Sequence, residues 1–369
     1  MIWKIKILHV VNVFGGAVGR ILMNIMPRLV ELFDVKIISI QPIDDSEPLI
    51  QEYIRKYNNL ESLKLNRFSL FKTYRELNCY FRKIDPDIIH SHMGRADIFT
   101  AILRPKNAII MNTFHCEKKN HNLLTQIGYK LTDRRVDRRI CISQTVARSY
   151  YNHGLKSPYS VIYNPINIER LTVPVNRMEL RKRMGFDKND KILINVGRII
   201  KCKGQRHLIE MMPYLCRLLP RVKLLLVGDG SQYNILKKLI DKYNLTNTVY
   251  LLGYRHDVQE LLTISDLFVY SAQWEGLGMA VIEAMASGIP VLAHPLPALK
   301  EYIIDGKNGY FCNIHDRELF AKKIYKVLTD SINTEKVTTN AFQTVLKNFS
   351  VDKIVKQYIE LYKRLIDVK

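Results

Sequence analysis

The chain has 369 residues, of which 47% are hydrophobic and 25% are charged, a composition that excludes a disordered or fibrous chain. Its length, about twice that of a typical domain, predicts two hydrophobic cores. The 56 Lys and Arg residues against 35 Asp and Glu give a net charge of +21, which predicts a polyanionic partner: nucleic acid, anionic lipid or a phosphorylated substrate.

Targeting and redox features favour the cytoplasm. No segment approaches the roughly 18 uninterrupted apolar residues of a membrane-spanning helix. The first residues, MIWKIKILHVV, carry lysines within the apolar run and lack a signal-peptide cleavage site. The six cysteines are scattered, with no Cys-x-x-Cys pair and no histidine at zinc spacing, so a disulfide or zinc framework is not expected.

Short apolar runs rich in Val, Ile and Leu alternate with longer amphipathic segments. This alternation predicts parallel strands covered by helices on both faces, in two consecutive α/β domains. The strands predicted in the first half are 4–13, 35–40, 87–91, 108–114, 138–142 and 160–163. Those predicted in the second half are 191–196, 222–227, 248–252, 267–270, 289–293 and 310–312.

The domain boundary is expected near Pro165, because proline restricts its neighbour and the stretch 166–174 has neither helical nor strand periodicity. Apolar residues recur at helical spacing near the end of the chain and predict a terminal amphipathic helix. The predicted organisation is an N-terminal domain, a C-terminal domain and a terminal helix, at 1–165, 166–350 and 351–369.

A glycine-rich loop, FGGAVGR at 14–20, follows the first predicted strand and leads into a helix. It contains Gly-Gly-x-x-Gly, which differs from the dinucleotide fingerprint Gly-x-Gly-x-x-Gly. The loop therefore argues against a nicotinamide cofactor.

Residues 66–83 predict a basic amphipathic helix. Its apolar face is expected to carry Leu70, Tyr74, Leu77 and Phe81, and its opposite face Lys72, Arg75, Arg82 and Lys83. Such a helix is typical of attachment to anionic lipid, and equally of packing on the core with a solvated basic face. The sequence leaves both interpretations open.

Histidines lie at the ends of two predicted strands. His90 and His92 share a strand face, but no third metal ligand is evident beside them. His115 follows the strand 108–114, and it is either a hydrogen-bonded structural group or part of a catalytic site. The Asp-Pro-Asp sequence at 85–87 mimics a metal motif, but its proline indicates a loop. The sequence therefore predicts no metal site.

In the second half, the segment GRIIKCKG at 197–204 directly follows a predicted strand. Arg198 and Lys203 in this segment have the charge to neutralise a diphosphate leaving group, with glycines that permit close backbone approach. A solvated basic turn is the alternative in so basic a chain.

A second loop, SAQWEGLG at 271–278, ends a predicted strand and opens a helix. Its glycines let backbone amides approach a phosphate or a sugar hydroxyl at the helix N-terminus. Glu275 lies in the loop and Glu283 more than a turn into the helix, so both carboxylates could hold hydroxyl groups of one ligand. Alternatively, both are ordinary surface carboxylates.

The stretch EGLGMAVIEAMASGIPVLA at 275–293 resembles the signature of family 4 of the retaining glycosyltransferases. The glycine loop at 14–20, the basic segment at 197–204 and the turns at 228–230 and 253–255 resemble that family's other motifs, in the same order. The resemblance implies the GT-B fold: two Rossmann-like β/α/β domains facing across a cleft, with the terminal helix crossing back to the N-terminal domain.

The resemblance also implies the residues of the site. The expected catalytic residues are His115, Arg198, Lys203 and Glu275. The expected donor-binding residues are Gly15, Gly16, Arg198, Lys203, Tyr254, Arg255, Glu275, Gly276, Leu277, Gly278 and Glu283. This chain has Ala-Val-Gly-Arg at 17–20, where family members often have Ala-Glu-Arg, so a side-chain role in that loop does not carry over.

The function implied is that of a bacterial, retaining, metal-independent hexosyltransferase without a cofactor. Its donor would be a nucleotide diphosphate sugar, with a UDP-sugar the commonest in the family. Its acceptor would be a lipid-linked or surface-polysaccharide glycan such as lipopolysaccharide, O-antigen or capsule. The basic surface would hold the enzyme peripherally on the anionic inner face of the cytoplasmic membrane.

Two other classes of function fit parts of the sequence. A nucleotide-sugar epimerase or a phosphorylase of the same fold would share the gross pattern but not this particular loop. A basic nucleic-acid or lipid-binding module would explain the charge, but no helix-turn-helix, zinc-finger or RNP-like sequence is present. We therefore expect no nucleic-acid partner.

Overall fold

The computed structural model describes residues 4–43, 48–171 and 176–368, so part of the aperiodic stretch 166–174 lies outside the described residues. The chain forms two compact units. Unit 1 comprises Met1–Ile166 and Phe349–Lys369, and unit 2 comprises Asn167–Asn348. The C-terminal segment therefore returns to unit 1, as the family resemblance implies.

Unit 1 is built on a seven-stranded parallel sheet with the order β3-β2-β1-β4-β5-β6-β7. Its strands are β1 Lys6–Val11, β2 Asp34–Ser39, β3 Leu60–Ser62, β4 Ile88–His92, β5 Ile109–Phe114, β6 Arg138–Cys141 and β7 Tyr159–Val161. Every residue of β4 and β5 is buried, as expected for central strands that are covered on both faces.

The helices of unit 1 are α1 Gly16–Leu32, α2 Pro48–Lys56, α3 Leu70–Ile84, α4 Arg95–Leu103, α5 Leu123–Leu131, α6 Gln144–Tyr151 and α14 Val351–Asp367. The terminal helix α14 packs on α1 and buries one apolar face in the core of the unit, through Ile354, Val355, Tyr358, Leu361 and Tyr362. Each such side chain contributes about 1.5–3 kcal/mol when fully buried, so α14 is an integral part of unit 1.

Unit 2 has a six-stranded parallel sheet with the order β10-β9-β8-β11-β12-β13. Its strands are β8 Lys191–Val196, β9 Val222–Val227, β10 Val249–Gly253, β11 Leu267–Tyr270, β12 Val291–Ala293 and β13 Tyr310–Phe311. Its helices are α7 Arg177–Arg183, α8 Gln205–Leu218, α9 Tyr233–Lys242, α10 Val258–Ile264, α11 Met279–Ala286, α12 Arg317–Thr329 and α13 Ser331–Phe349.

Both sheets share one topology, in which the first strand of the unit lies in the middle and the chain later crosses back past it. The order reverses between β1 and β4 in unit 1 and between β8 and β11 in unit 2. In open α/β sheets, ligands bind outside the carboxyl ends of the strands at such switch points. The loops after these four strands are therefore where a site is expected.

The structure differs from the sequence-based prediction in two elements. The short edge strand β3 was not predicted, since three residues carry no readable periodicity. The predicted apolar face of α3 is wrong in its first half: Leu70 and Tyr74 are 57% and 43% exposed, whereas Thr73 and Tyr80 are buried. Only the later turns of the helix add apolar side chains to the core, because the buried residue of its first turn is Thr73. None of the helices within the described ranges has the length and hydrophobicity to cross a bilayer.

Candidate functional site

In unit 2, the loop after β8 is fixed by the turn after β9. The backbone N–H of Ile199 donates to the carbonyl of Asp229 at 2.7 Å. A Cβ at Gly228 would lie 2.1 Å from the carbonyl oxygen of Gly197, so only glycine permits this backbone approach. The exposed side chain of Arg198 is thereby presented from a rigid loop.

The short 3-10 turn that follows, Lys201–Lys203, is bonded to the loop after β11. The Ser271 hydroxyl donates to the carbonyl of the last residue of the turn at 2.9 Å, and the N–H of Gln273 donates to the carbonyl of Cys202 at 2.8 Å. Gly204 has φ +68°, and a Cβ there would meet the Ser271 oxygen at 2.2 Å. The two loops that flank the switch point therefore form one assembly.

Lys203, Tyr270 and Glu275 converge in this assembly. The Lys203 ammonium and the Tyr270 hydroxyl both donate to one carboxylate oxygen of Glu275, and Lys203 Nζ lies 3.2 Å from the Tyr270 oxygen. Burial and the adjacent Glu275 carboxylate raise the pKa of Tyr270, which keeps its hydroxyl protonated and donating. Lys203 and Glu275 each retain 17% side-chain exposure, so the cluster is shielded yet accessible.

Next to Glu275, helix α11 begins with Gly278 as its N-cap at φ +87° and without a side-chain cap. A Cβ on Gly278 would lie 2.6 Å from Leu299 Cδ2, and the Tyr302 hydroxyl donates to the carbonyl of Leu277 at 2.9 Å. The tight turn thus directs the backbone N–H groups of the first turn of α11 toward the loop. An anion or a hydroxyl oxygen is favoured at such a helix N-terminus. Glu283 lies half-buried further along α11.

The predicted base-contacting residues after β10 have different surroundings. The ring of Tyr254 is 57% exposed. Arg255 forms an ion pair with Asp257, its Nε donating to Oδ1 at 2.8 Å. The Tyr254 ring is therefore open to a ligand, whereas the Arg255 guanidinium is already engaged by a carboxylate.

In unit 1, the predicted glycine loop lies between β1 and α1. Gly15 is the N-cap of the 17-residue helix α1, without a side-chain cap. Gly16 has φ +53°, and no heavy atom lies within 4 Å of the position a Cβ would take. The Ser39 hydroxyl accepts from the Phe14 N–H at 3.1 Å and anchors the start of the loop. The N-terminus of α1 is therefore unobstructed at Gly16.

The structure brings His115 into a group of histidines. His115 Nε2 lies 3.2 Å from His92 Nδ1, and His92 Nε2 lies 3.0 Å from Nδ1 of His9, a residue not predicted to belong to the site. In the sequence, His9 is marked as a candidate only by being a polar residue within the apolar run of β1. Burial lowers the pKa of His115 to about 4 and that of His9 to about 3, so both imidazoles are neutral at pH 7.

The sequence shows no evident third metal ligand for His90 and His92, but the fold brings His9 beside them. His9 pairs with His90 in the register of β1 and β4, and ring nitrogens of the three histidines lie within 4.8 Å of one another. Across the described ranges this is the one such group. Both nitrogens of His90, however, are bonded at 2.7 Å to the hydroxyls of Tyr362 and Thr113.

The Asp-Pro-Asp segment is structural. Asp85 is the left-handed C-cap of α3 at φ +48°, and Asp87 accepts from the backbone N–H of Lys6 at 2.8 Å. Asp85 therefore caps the helix through its backbone, and Asp87 bonds the start of β1 through its carboxylate.

A buried polar network under the loop after β4 was also missed. Asp97, at 1% exposure, accepts from the hydroxyls of Ser91 at 2.8 Å and Tyr129 at 2.9 Å. The Tyr129 oxygen in turn accepts from the Gly94 N–H at 2.7 Å. Burial raises the pKa of Asp97 to about 7. A lone acidic residue near the start of an apolar helix gives no sequence signal for such a network.

Two family models match the chain in succession: glycosyltransferase family 4 over residues 14–170 and the group 1 glycosyl transferases over residues 176–344. The N-acetyl-alpha-D-glucosaminyl L-malate synthase of Bacillus anthracis is 30% identical over 213 residues, covering 57% of this chain. The UDP-Gal:alpha-D-GlcNAc-diphosphoundecaprenol alpha-1,3-galactosyltransferase of Escherichia coli is 26% identical over 399 residues, covering 97% of both chains.

The chain spans only about half of the Bacillus anthracis synthase, at 55% of its length. Among solved structures, Anabaena Alr3699/HepE in complex with UDP and glucose has a TM-score of 0.84 and 22% identity, over 98% of this chain and 100% of that chain. This likeness shows a common fold.

The two parallel sheets and these likenesses define the class of the protein: a glycosyltransferase with the GT-B fold. Within that class, the chain belongs to the group 1 glycosyl transferases of family 4.

Proposed function

We propose that the protein is a retaining hexosyltransferase that transfers a sugar from a UDP-sugar to a glycan acceptor. The observation that carries this proposal is the cluster of Lys203, Tyr270 and Glu275 at the switch point of unit 2, beside the open N-terminus of α11. The Escherichia coli relative is named for UDP-Gal as donor, and the Anabaena structure was determined with UDP and glucose. Both support a uridine nucleotide donor.

The ion pair between Lys203 and Glu275 suggests how the donor is received. In this pair the two charges neutralise each other. A diphosphate would compete with Glu275 for the Lys203 ammonium, and the exposed Arg198 guanidinium would bind the same anion. Glu275 would then be free to accept hydrogen bonds from sugar hydroxyls. Donor binding would thus release the Glu275 carboxylate from Lys203 and allow it to bind the sugar.

The rest of the donor would lie along the same edge of the sheet. The amides of Gly276, Leu277 and Gly278 and the N-terminus of α11 would contact the phosphate and the sugar. Glu283 would bind the ribose hydroxyls. The exposed Tyr254 ring is the better base contact, because Arg255 is held by Asp257.

Unit 1 would supply the open N-terminus of α1, with Gly15 and Gly16, as a second phosphate contact, and His115 as a contact to the reacting sugar. His115 is neutral at pH 7 because burial lowers its pKa to about 4. It therefore acts as a hydrogen-bonding group, not as a cation that would bind phosphate.

We propose a same-face displacement that needs neither a protein nucleophile nor a metal. The bond between the anomeric carbon and the diphosphate oxygen breaks, and the acceptor hydroxyl oxygen forms the new bond on the same face. The departing phosphate oxygen takes the acceptor proton. Lys203 and Arg198 stabilise the charge that develops on the diphosphate, a contribution of several kcal/mol in a shielded site.

The test is turnover of a panel of nucleotide sugars by the wild type and by Glu275→Gln and Glu283→Gln. Without acceptor, slow release of UDP and free sugar is expected, with the anomeric configuration retained. Glu275→Gln should lower kcat and Glu283→Gln should raise the donor KM. Near wild-type turnover in both variants would refute these roles, and accumulation of an epimerised donor would show an epimerase instead.

For the acceptor, we propose a lipid-linked or surface-polysaccharide glycan presented at an anionic membrane. The name of the Escherichia coli relative specifies a diphosphoundecaprenol acceptor. In unit 1, helix α5 exposes Leu123, Leu124 and Leu131 by 70%, 79% and 78%. Exposed apolar residues rimmed by cations favour a membrane surface.

The surroundings of α5 complete this surface. Lys118 precedes the helix and Lys130 lies in its last turn. The start of α3 exposes Phe71 by 79%, and both α3 and α5 pack on α4. Anionic headgroups would pair with the lysines while the leucines enter the interface.

Vesicle sedimentation tests this surface. Vesicles of phosphatidylglycerol should bind the protein, those of phosphatidylcholine should not, and high salt should weaken binding. Replacing Leu123 and Leu124 by serine should lower the vesicle affinity by at least about tenfold. The matched control Leu319→Ser changes an exposed leucine of unit 2 and should have no effect. Equal loss in both variants would contradict the assignment to α5.

A further inference from the structure

A small cavity lies between α5 and the end of α6 in unit 1, and we call it the α5 cavity. Its volume is about 140 Å³. The apolar part of its lining consists of Leu123, Ile127, Tyr129, Tyr150 and Leu155. The Tyr129 hydroxyl is bonded to Asp97 at 2.9 Å, and the Tyr150 hydroxyl to the carbonyl of Cys116 at 3.2 Å. Because both hydroxyls are engaged by other groups, the tyrosine rings are left to line the cavity.

The walls of the α5 cavity are held by hydrogen bonds to the turn after β5. The backbone N–H of Lys118 donates to the Ser149 hydroxyl of α6 at 3.1 Å, and the Gln126 side-chain amide of α5 donates to the His121 carbonyl at 2.7 Å. On the α5 side the cavity is open, since Ile127 remains 45% exposed. If a methylene occupies about the 30 Å³ of a water molecule, the cavity holds roughly five carbon atoms. A short stretch of hydrocarbon chain can therefore enter it from the surface.

The polar part of the lining includes two cations, Lys118 and Lys130. Residues 116–157 contain three carboxylates, Glu117, Asp133 and Asp137, and each is already paired with another cation, at 3.2, 3.3 and 2.8 Å respectively. Neither lysine of the cavity has an ion-pair partner among the described residues. Unpaired ammonium groups favour a phosphate. The α5 cavity therefore suits a ligand in which a hydrocarbon chain directly adjoins a phosphate.

We propose that the α5 cavity binds the first carbon atoms of the chain of a lipid-diphosphate acceptor, with Lys118 and Lys130 binding the diphosphate. The choice of ligand rests on the proposed transferase function. Lys118 follows His115 by three residues, so their Cα atoms lie at most about 11 Å apart. A diphosphate at Lys118 would place the sugar attached to it near the end of β5, whereas a bilayer phospholipid has no sugar to present there. This proximity favours the acceptor over a bilayer lipid as the occupant.

The experiment is calorimetric titration of the full-length protein with soluble diphosphates, with UDP in excess to occupy the donor site of unit 2. The probes are inorganic diphosphate, dimethylallyl diphosphate and geranyl diphosphate, which carry no, five and ten carbon atoms. Burial of one methylene raises affinity about fourfold, so dimethylallyl diphosphate should bind at least about 100-fold more tightly than inorganic diphosphate. The second five carbons should add less than the first five, because the cavity is then full. Equal affinities for inorganic and geranyl diphosphate would overturn the proposal.

Two matched variants locate the binding. Ile127→Trp fills the cavity and should weaken geranyl diphosphate by at least about tenfold, while inorganic diphosphate binds as in the wild type. The control Ile102→Trp makes the same change on α4, at 41% exposure against 45% and outside the cavity lining, and should keep the wild-type affinities. Equal effects of the two substitutions would contradict the location. Lys130→Gln should weaken all three probes by about tenfold, and unchanged binding of inorganic diphosphate would refute the phosphate contact.

Two further results separate this proposal from the transferase function. If the protein binds UDP and hydrolyses a UDP-sugar but binds no prenyl diphosphate, the α5 cavity is not an acceptor site and the transferase function stands. If geranyl diphosphate binds in the cavity but no nucleotide sugar is turned over, the binding site stands and the transferase function fails. Displacement of geranyl diphosphate by dihexanoyl phosphatidylglycerol at equal affinity would identify a bilayer lipid as the occupant and overturn the choice of the acceptor.

Discussion

Mild acid should destabilise unit 1 through its buried histidines, and the part contributed by His9 can be isolated. The pKa of His9 is lowered to about 3 by burial, while a histidine in the unfolded chain titrates near 6.5. Below about pH 6.5, the unfolded state therefore binds a proton at His9 that the folded state does not bind. The stabilisation is present above that pH and is lost as the pH falls toward 3.

The magnitude follows from the linkage relation, which gives about 1.4 kcal/mol per pH unit for one proton. At about pH 5, the contribution of His9 amounts to about 2 kcal/mol. The raised pKa of Asp97, about 7, acts in the opposite direction. As the pH falls, Asp97 binds its proton in the folded state before it does so in the unfolded state, and this binding stabilises the fold. Its effect cancels when wild type and His9→Asn are compared, since both retain Asp97.

Urea unfolding followed by hydrogen exchange of peptides from β1 and β4 measures the stability of unit 1. Between about pH 7 and pH 5, the wild type should lose about 2 kcal/mol more than His9→Asn, whatever their stabilities at neutral pH. The control His153→Asn changes an exposed histidine of the same unit and should behave as the wild type. Equal pH slopes in wild type and His9→Asn would show that His9 is not buried in its neutral form.

Two further predictions concern the donor loops of unit 2. Lys203→Gln should lower kcat/KM by about 100-fold, because it removes the positive charge that stabilises the diphosphate leaving group. The control Lys201→Gln changes an exposed cation of the same turn and should stay near wild type. Similar losses in both variants would indicate a diffuse charge effect. Gly204→Ala and Gly306→Ala introduce a Cβ at similar φ angles, +68° and +72°, but only the first meets a carbonyl oxygen, at 2.2 Å. Gly204→Ala should therefore lose donor affinity in a titration with UDP while Gly306→Ala keeps it, and equal affinities would contradict the coupling of the two loops.

Most strands of both sheets could be predicted, because buried parallel strands are continuous apolar runs that stand out between amphipathic helices. The exception is β3, whose three residues pair only with the edge of β2. The face of α3 was mispredicted because periodicity shows which residues share a helical face, not how far along the helix the core extends. Leu70 lies on the predicted face but beyond the core.

The candidate site was predictable where its residues lie in one loop, as for Glu275 and its glycines. Contacts between strands distant in sequence were not. Lys203 meets Tyr270 and Glu275 only through the pairing of β8 with β11. His9 meets His92 only through the pairing of β1 with β4. Neither pairing can be read from local spacing, because it depends on which strand lies next to which.

The central claim is that the switch-point site of unit 2 binds the uridine nucleotide of a sugar donor. Calorimetric titration of UDP into the wild type and Glu283→Gln tests it most directly. One binding site is expected in the wild type, with affinity at least about tenfold weaker in the variant because two hydrogen bonds to the ribose are impaired. Absence of UDP binding to the wild type, or equal affinity in both proteins, would contradict the claim.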